Sequence, residues 1–555
     1  MTVRPRETPE TNLVWRLNGR GFDSLGLFSL PRPTITDDQL LVRQEVATIC
    51  FSSVKVIMAG ETHPRLQGRD LSTAPVVLGD EAFVVVEEVG RNLRHRFKVG
   101  EGYAIMPDLG TNAFGYDIDG GLQRYNVLEG RILDALLPVE QATIARAGMF
   151  AVSLSEPLGC VEKSYHLEYR TGLKERGALL IARTGVSTVD QEIVFQQTLT
   201  VEIAAKRPSR IVGASLTDDL TEAIRRQAER AGIDLISLDR LESISTAVRP
   251  YTAAGFDDII LLGGGQAETI GRVARETIDL LAPAGILNLV GNIPSGTPLP
   301  IDIGRTHYDR TLVVGTAEPD FLHAYRANTD HELREGSVAV FIGAGGPMGQ
   351  LHLLRAMGMD APPAKIIAVE VEPARLAKLE RWRQKQYAPA GTELMVMNPN
   401  TQHIADVLAG DAINCLVLLS PVAQIIEEYT PYFAPKAVVN AFAGLKGQQI
   451  TLDAAVLCQK HLRVVGHSGV DVATQRLALE KIAQGKISVD PVVSAVGGIQ
   501  AARDALWATA QSTYPGKIVL YLSIDLPLTP IETITGEDVW SAEHERALLR
   551  KSGGW

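Results

Sequence analysis

The chain contains little cysteine, and none of it is clustered. Its 555 residues include four cysteines, Cys50, Cys160, Cys415 and Cys458, and no two of them form a CxxC pair. Small secreted proteins that depend on disulfides have dense, regularly spaced cysteines, and this sequence does not. We therefore expect a protein of a reducing compartment, the cytoplasm.

Basic runs and long apolar runs are also missing. The formal net charge is −11 at pH 7, and no lysine- or arginine-rich segment interrupts it, so the sequence offers no electrostatic footprint for nucleic acid or an anionic membrane. No stretch approaches the roughly 18 apolar residues of a membrane span, and the first residues lack the apolar core of a signal peptide. A small-molecule partner is the default expectation.

What is present is typical of a large α/β enzyme: 45% hydrophobic residues, 21% charged residues, 50 glycines and 29 prolines. At roughly 100 to 200 residues per domain, the length predicts about three domains. Residues 20–150 contain short β segments separated by glycine and proline turns, and residues 173–485 show the alternating strand and helix pattern of a parallel sheet. A final stretch of strand and helix is expected to return to the first unit.

The α/β region repeats itself in four places. ALLIARTGVSTV matches VAVFIGAGGPMG, SRIVGASLTDD matches AKIIAVEVEPA, LAPAGILNLVG matches FAPKAVVNAFAG, and TLVVGTAE matches LRVVGHSG, all in one order. Either the nucleotide-binding unit occurs twice, or the matches reflect the strand, turn and helix rhythm that every doubly wound domain shares. The first interpretation predicts two doubly wound Rossmann domains in tandem.

The second copy carries a dinucleotide fingerprint. A predicted strand runs into a loop and helix start made of Gly343, Ala344, Gly345, Gly346, Pro347, Met348 and Gly349. Glycines there permit a tight turn and close approach of a pyrophosphate to the helix N-terminus. Glu370 ends the next strand, where a carboxylate accepts the ribose hydroxyls and repels a 2′-phosphate, so NAD is expected rather than NADP. Glu372 competes for that role, and Arg375 is a further candidate for cofactor binding.

The first copy lacks these features. Its corresponding residues are Arg183, Thr184, Gly185, Val186, Ser187, Thr188 and Val189, and Ser215 occupies the place of Glu370. One interpretation is a degenerate unit that serves packing, oligomerisation or substrate enclosure. The other is that Arg183 and Ser215 accept the phosphate of NADP or a sugar phosphate.

Three further segments carry a family resemblance. ATICFSSVKVIMAGETHPR, then PVVLGDEAFVVVEEVG, then SLSEPLGCV resemble the catalytic domain of zinc-dependent medium-chain dehydrogenases, in particular the polyol branch that includes sorbitol dehydrogenase and L-sorbose 1-phosphate reductase. The resemblance implies a GroES-like β catalytic domain at residues 1–172, completed by 486–555. The internal repeat places the two Rossmann domains at 173–330, the degenerate copy, and 331–485, the NAD-binding copy. The extra copy departs from the family plan. A homo-oligomer, a dimer or tetramer, is also expected.

The resemblance implies a catalytic Zn²⁺ held by Cys50, Asp80, Glu81 and Glu156, with Cys50 and Glu81 counted among the catalytic residues. Asp80 stands where the family has histidine, and an anionic ligand in that place makes the ion a weaker Lewis acid, so a metal-free or differently loaded site is the alternative. The family's structural zinc is not expected, because residues 106–120 contain no cysteine. Cys160 is expected to be a buried apolar residue rather than a ligand.

Ser52 occupies the position from which the family removes the substrate proton, although a serine that caps a turn would look the same. Lys55, His63 and Arg65 follow it, and they either bind a polar or phosphorylated substrate or form a solvated face. The leading hypothesis is hydride transfer between NAD and a polyol, sugar or sugar phosphate. The alternatives are a lyase or epimerase that retains its NAD, and an inactive regulatory homologue.

Overall fold

The computed structural model describes residues 11–66, 68–110, 112–185, 189–239, 244–251 and 253–553. Its N-terminal part contains seven strands and four helices: β1 (Thr11–Leu17), β2 (Leu25–Pro31), β3 (Leu40–Thr48), α1 (Phe51–Ala59), β4 (Glu81–Val89), β5 (Gly102–Ile105), β6 (Tyr125–Leu128), β7 (Leu136–Val139), α2 (Gln141–Ala147), α3 (Met149–Ser153) and α4 (Ser155–Tyr165).

Two stretches of alternating strand and helix follow. The first half comprises β8 (Ala178–Arg183), α5 (Val189–Lys206), β9 (Arg210–Ala214), α6 (Asp218–Ala231), β10 (Asp234–Leu238), α7 (Ile244–Val248), β11 (Phe256–Leu262), α8 (Ala267–Ile278), β12 (Leu281–Val290), β13 (Pro298–Asp302), α9 (Ile303–Tyr308), β14 (Leu312–Thr316) and α10 (Leu322–Arg326). The second half comprises β15 (Val338–Ile342), α11 (Pro347–Met357), β16 (Lys365–Val369), α12 (Pro373–Gln384), β17 (Glu393–Met397), α13 (Ile404–Leu408), β18 (Ile413–Leu418), α14 (Ile425–Tyr429), β19 (Phe433–Ala441), β20 (Gln449–Asp453), α15 (Ala454–Lys460), β21 (Arg463–Val465) and α16 (Val472–Gln484).

The C-terminal stretch shares a sheet with the N-terminal strands. It contains β22 (Val493–Gly498), α17 (Ala502–Ala510), β23 (Lys517–Tyr521), β24 (Thr529–Pro530), α18 (Ile531–Thr535) and α19 (Ala542–Lys551). The sheet has the order β24-β22-β23-β3-β4-β5-β7, with β6 also pairing with β3. Strand β23 runs antiparallel to β3, with Val519 opposite Thr48. Segments more than 400 residues apart in sequence therefore build one wall of the molecule.

The two halves form a single sheet of twelve strands. Its order is β10-β9-β8-β11-β12-β14-β21-β19-β18-β15-β16-β17, so each half has the same internal order and the two meet at β14 and β21. Those two strands pair antiparallel through Val313 and Val464. A second antiparallel ribbon, β13 with β20, also joins the halves. Both junctions relate the halves by an approximate two-fold rotation.

Backbone irregularities recur at matching places in the halves. Ala284 in β12 and Lys436 in β19 both have left-handed backbones, with φ of 59° and 61°. The neighbouring strands β11 and β18 each shift register once. Because left-handed backbone is unfavourable for residues other than glycine, such a coincidence indicates the same local turn in both halves.

The large sheet is apolar on both faces, as parallel sheets covered by helices are. Along β8, Leu179 and Ile181 enter one hydrophobic core while Leu180 and Ala182 enter the other. Helix α9, short and close to the other half, begins where the Asp302 carboxylate accepts the backbone N–H of Arg305 at 2.9 Å. Within the residues described, no helix combines the length and apolar composition needed to cross a bilayer.

Candidate functional site

A cavity of about 1140 Å³ lies where the N-terminal part and both halves of the large sheet meet. The N-terminal part contributes the side chains that the sequence singles out. The second half contributes Met348 from the start of α11 together with Phe442 and His467, and the first half contributes α9. The cavity therefore brings Met348, which follows the glycine-rich loop, together with the predicted catalytic residues.

Ser52 lies in the first turn of α1, two residues after Cys50, which precedes the helix. No side chain caps this helix. Instead, the Ser52 hydroxyl donates a hydrogen bond to Asp80 Oδ2 at 2.6 Å. Ser52 also contacts the hydroxyl of Tyr116, whose ring stacks under the Arg65 guanidinium at 5.0 Å. A chain of hydroxyl and carboxyl groups thus runs along the cavity wall, which is the arrangement a proton relay needs.

Asp80 and Glu81 have different surroundings although they are adjacent at the start of β4. Asp80 is 7% exposed, and its Oδ1 has no hydrogen-bond partner. Glu81 is fully buried, and its two oxygens accept hydrogen bonds from the Thr48 hydroxyl and the Lys517 ammonium group. Both oxygens of Glu81 are therefore engaged by protein groups, whereas Asp80 has one oxygen free.

Glu156 projects from α4 and also lines the cavity. One turn later, the Cys160 thiol donates to Glu156 Oε1 at 3.6 Å. Helix α4 packs closely on α16 at Gly159, where a side chain would not fit. A Cβ at this position would lie 2.9 Å from Gln475 Cα. This packing fixes where Glu156 lies.

Burial and mutual repulsion disfavour negative charge at this end of the cavity. Burial, with a contribution from Glu81, raises the pKa of Asp80 to about 6. Burial also raises the pKa of Glu156 well above its ordinary value, and the neighbouring Glu81 and Asp80 add to the shift. The Cys50 thiol behaves in the same way. Lys517 is the cation that opposes this accumulation of acidic groups.

The predicted metal ligands share the cavity without forming a ligand shell. Among the residues described, no three His, Cys, Asp or Glu side chains are arranged to hold a metal ion. Cys50, Asp80 and Glu156 line one cavity and Asp80 Oδ1 lacks a partner, but these side chains are not placed as a set of metal ligands. The ligand set that includes Glu81 stays a prediction.

The three basic residues after Ser52 all line the cavity. Arg65 is engaged by Asp108, with 2.8 Å between Nη2 and Oδ2. His63 lies between Arg65 and Lys55, and burial together with these two cations lowers its pKa. Lys55 is exposed, one turn of helix beyond Ser52. These residues face the site rather than only bulk solvent.

Sequence reasoning missed the wall that the first half provides. His307 and Tyr308 of α9 line the cavity opposite α1, as does Lys446 from the loop after β19. His467, also missed, is buried beside Phe442. No spacing pattern links these positions to Cys50, because they meet only through the junction of the two halves. Lys517 and Tyr116 were also missed, because residues distant in the sequence from Ser52 and Glu81 leave no local spacing pattern.

The glycine-rich loop lies between β15 and α11. Pro347 begins α11, and Gly343 has a left-handed φ of 83°. A Cβ at Gly349 would lie 2.5 Å from Ala344 O, whereas one at Gly346 would meet only ordinary contacts. Gly349 thus allows the helix to pack on its own loop, and Gly346 leaves open space at the N-terminus of the helix.

Glu370 follows β16 and is 5% exposed. Its carboxylate accepts three backbone N–H groups: Gly345 at 3.1 Å, Val371 at 2.8 Å and Glu372 at 3.1 Å. Glu372, the competing candidate, instead caps α12, where it accepts the N–H of Arg375 at 2.9 Å. The Arg375 side chain extends back to the loop, and its Nε is buried without a partner.

The described residues at the corresponding positions of the first half contact other protein groups. A Cβ at Gly185 would collide with the backbone of Gly264 and Gly265. Arg183, a predicted phosphate ligand, forms an ion pair with Glu192 at 2.9 Å. Ser215 has a left-handed φ of 52°, and its hydroxyl donates to Asp239 O at 3.4 Å. Val186, Ser187 and Thr188 lie outside the described residues.

No family model matches the chain. It is 25% identical over 326 residues to mannitol-1-phosphate 5-dehydrogenase of Aliivibrio fischeri, which covers 54% of this chain and 72% of that protein. It is 28% identical over 332 residues to L-sorbose 1-phosphate reductase of Klebsiella pneumoniae, covering 56% and 76%. These relatives support an oxidoreductase.

Solved structures share the mixed α/β fold. A short chain alcohol dehydrogenase of Escherichia coli CFT073 complexed with NADH superposes with a TM-score of 0.50 at 12% identity, covering 93% of this chain and 100% of that one. A protein of Sinorhizobium meliloti 1021 described as a zinc-binding dehydrogenase, bound to NADP, superposes with a TM-score of 0.50 at 13% identity, covering 92% and 100%. At such identities the likeness concerns the fold.

Proposed function

We propose that this chain is a nicotinamide-dependent dehydrogenase that oxidises a hydroxyl of a polyol, sugar or sugar phosphate, or reduces the corresponding carbonyl. The observation that carries the proposal is the hydrogen bond from Ser52 to Asp80 in a cavity that Met348 of the nucleotide loop also lines. A relay for the alcohol proton and a loop suited to the cofactor thus open into one space. The named relatives act on sugar phosphates, which supports the substrate class.

In this proposal the substrate hydroxyl donates its proton to Ser52, and Ser52 passes its own proton to Asp80. A carboxyl with a pKa of about 6 accepts a proton readily near neutral pH. The hydride on the same carbon moves to the nicotinamide, so the alcohol becomes a carbonyl. This relay uses the site as the structure shows it, where the predicted Zn²⁺ ligands Cys50, Asp80, Glu81 and Glu156 are not arranged around a metal ion. A Zn²⁺ ion bound there would engage the Asp80 carboxylate and would itself polarise the substrate oxygen.

We propose that NAD binds the second half and is preferred to NADP. The Glu370 carboxylate, held by three backbone N–H groups, would accept ribose hydroxyls and repel a 2′-phosphate. In the first half Arg183 is paired with Glu192 and Ser215 offers no carboxylate, which supports a role other than nucleotide binding for that half. The chain then consists of a catalytic unit, 1–172 completed by 486–555, and a duplicated nucleotide-binding unit, 173–330 and 331–485.

The test is cofactor reduction with mannitol 1-phosphate, mannitol and sorbitol as substrates. We expect NADH to form and NAD to bind more tightly than NADP, and metal analysis of the wild type and of Cys50→Ser tests the predicted zinc. Ser52→Ala should lower kcat by about 100-fold or more with little change in KM, whereas Ser52→Thr, which keeps the hydroxyl, should retain most activity.

Two results would contradict the proposal. Turnover of a substrate by protein that retains NAD, without net NADH, would identify a lyase or epimerase. Absence of both turnover and nucleotide binding would identify a regulatory homologue.

A further inference from the structure

The cavity lining carries charge of both signs. Cys50, Asp80 and Glu156 line it, and so do the cations Lys55, Arg65, Arg305 and Lys446, which come from three separate parts of the chain. Asp108, Asp302 and Asp309 line it as well. A ligand bound in the cavity would therefore meet the predicted catalytic groups as well as positive charge.

Two of these four cations, Arg65 and Arg305, are engaged by other protein groups. Arg65 pairs with Asp108, and Arg305 bonds to Asp309 at 3.1 Å and to the carbonyl of Ile278 at 3.1 Å. In the part of the chain that the structure describes, the side chains of Lys55 and Lys446 make no hydrogen bond or ion pair, and both are exposed. These two ammonium groups are available to an anion.

Helix α9 of the first half places both lysines beside the same wall. Lys446 packs directly on it, because a Cβ at Gly304 would lie 2.8 Å from Lys446 Cα. Lys55, across the cavity on α1, is close enough to His307 for its charge to act on that imidazole. Tyr308 completes the wall, and Gly444 faces it because any side chain there would collide with the Tyr308 hydroxyl.

Two neutral imidazoles, those of His307 and His467, also line the cavity. Burial lowers the pKa of His307 to about 4 and that of His467 to about 3. His307 Nδ1 donates to Ala441 O at 3.2 Å, and His467 Nε2 donates to Gly469 O at 2.9 Å. Each ring is then left with a nitrogen lone pair, and His467 Nδ1 is buried without any partner. Such nitrogens accept hydrogen bonds from hydroxyl groups.

We propose that Lys55 and Lys446 form the binding site for the terminal phosphate of a polyol or sugar phosphate, with the α9 wall enclosing it and His307 and His467 accepting hydroxyls of the carbon chain. The inference rests on the proposed function and deepens it. A dianion between two unengaged ammonium groups gains charge-assisted hydrogen bonds that an unphosphorylated polyol cannot make. The first half thereby takes part in substrate recognition without binding a nucleotide.

The experiment measures binding of mannitol 1-phosphate, mannitol and inorganic phosphate to the NADH-loaded enzyme by calorimetry. Lys55→Gln and Lys446→Gln should each raise the Kd of mannitol 1-phosphate and of inorganic phosphate by about tenfold or more. The Kd of mannitol should change by less than about twofold. Lys98→Gln, an exposed lysine outside the cavity, is the matched control and should behave as the wild type.

The outcomes separate the two proposals. Lysine-dependent phosphate binding by a protein that reduces no cofactor would support the phosphate site and reject the dehydrogenase. Turnover of mannitol 1-phosphate that is indifferent to both lysine substitutions would reject the phosphate site and keep the dehydrogenase. Equal weakening of mannitol and mannitol 1-phosphate, or no phosphate binding by the wild type, would also overturn the phosphate site.

Discussion

Lys517 is the buried cation that balances the acidic groups around Glu81. Burial alone would lower its pKa, but Glu81 and the other acidic groups around it raise that pKa, so the ammonium group stays charged. It is 4% exposed and bonds to Glu81, which is 436 residues away in the sequence. A buried charge without its partner is costly, whereas removing both partners together often costs little.

We therefore expect Lys517→Met to lower the free energy of unfolding by about 3–5 kcal/mol. The double variant Lys517→Met with Glu81→Leu should recover much of that loss, because it leaves no unpaired charge. Urea unfolding followed by circular dichroism measures both, with the exposed Lys98→Met as control. Equal stability of Lys517→Met and the wild type would contradict the assignment.

Short sequence motifs identified site residues that the N-terminal part contributes. Cys50, Ser52, Asp80 and Glu156 were named from short motifs, and all four line the cavity. Lys517 and His307 were not, because a contact across hundreds of residues leaves no local spacing pattern. The partners of Glu81 were equally invisible, so its place among the ligands could not be judged from the motif.

Among the elements, the β15 to α11 connection distinguishes two roles of glycine. Gly349 has no space for a side chain against Ala344, so it is required for packing. Gly346 has its neighbours Gly343 O and Arg375 Nη1 at 3.6 and 3.8 Å from a Cβ position, so it is not required for packing. A residue that is open in the free protein but lies at a helix N-terminus is where a pyrophosphate approaches.

We expect Gly346→Ala to keep the thermal stability of the wild type while raising the Kd of NADH by about tenfold or more, since a methyl group would stand in the path of the phosphates. Gly349→Ala should instead lower the thermal midpoint, because its methyl group meets backbone. Fluorescence titration with NADH and thermal unfolding separate the two effects. Unchanged NADH affinity in Gly346→Ala would show that the nucleotide binds elsewhere.

Sequence periodicity predicted the order of strand, loop and helix in both halves, and it placed Glu370 after β16. It could not show that Arg183 is paired with Glu192, because the two residues lie on different elements, β8 and α5, and no spacing rule links them. Nor could it show that Glu372 caps α12. A carboxylate at this position could either cap the helix or bind a ribose, and the sequence is the same in both cases.

In the whole molecule, the junction of β14 and β21 determines how the two halves of the large sheet are joined. Val313 and Val464 face each other there, 4% and 1% exposed, and they join two six-stranded arrangements into one sheet. Four internal sequence matches indicated the two units. They could not indicate how the units meet, because a repeat specifies the interior of a unit and not its edge.

We expect Val313→Asp to destabilise this junction, because a carboxylate would be buried at the centre of the sheet at a cost of about 2 kcal/mol or more. The calorimetric unfolding transition should move to lower temperature and separate into two. Val201→Asp, at a position on α5 that is 69% exposed, should leave the transition as it is. One unchanged transition in Val313→Asp would mean that the halves do not depend on this contact.

Helix α9 reaches the cavity from the same polypeptide that carries Cys50. A wall contributed by a second molecule would be lost on dilution, by mass action. A wall linked through the chain is present at a fixed effective concentration, whatever the amount of protein. The enclosure of this cavity is therefore a property of each single chain. The presence of the α9 wall does not vary with the concentration of the protein.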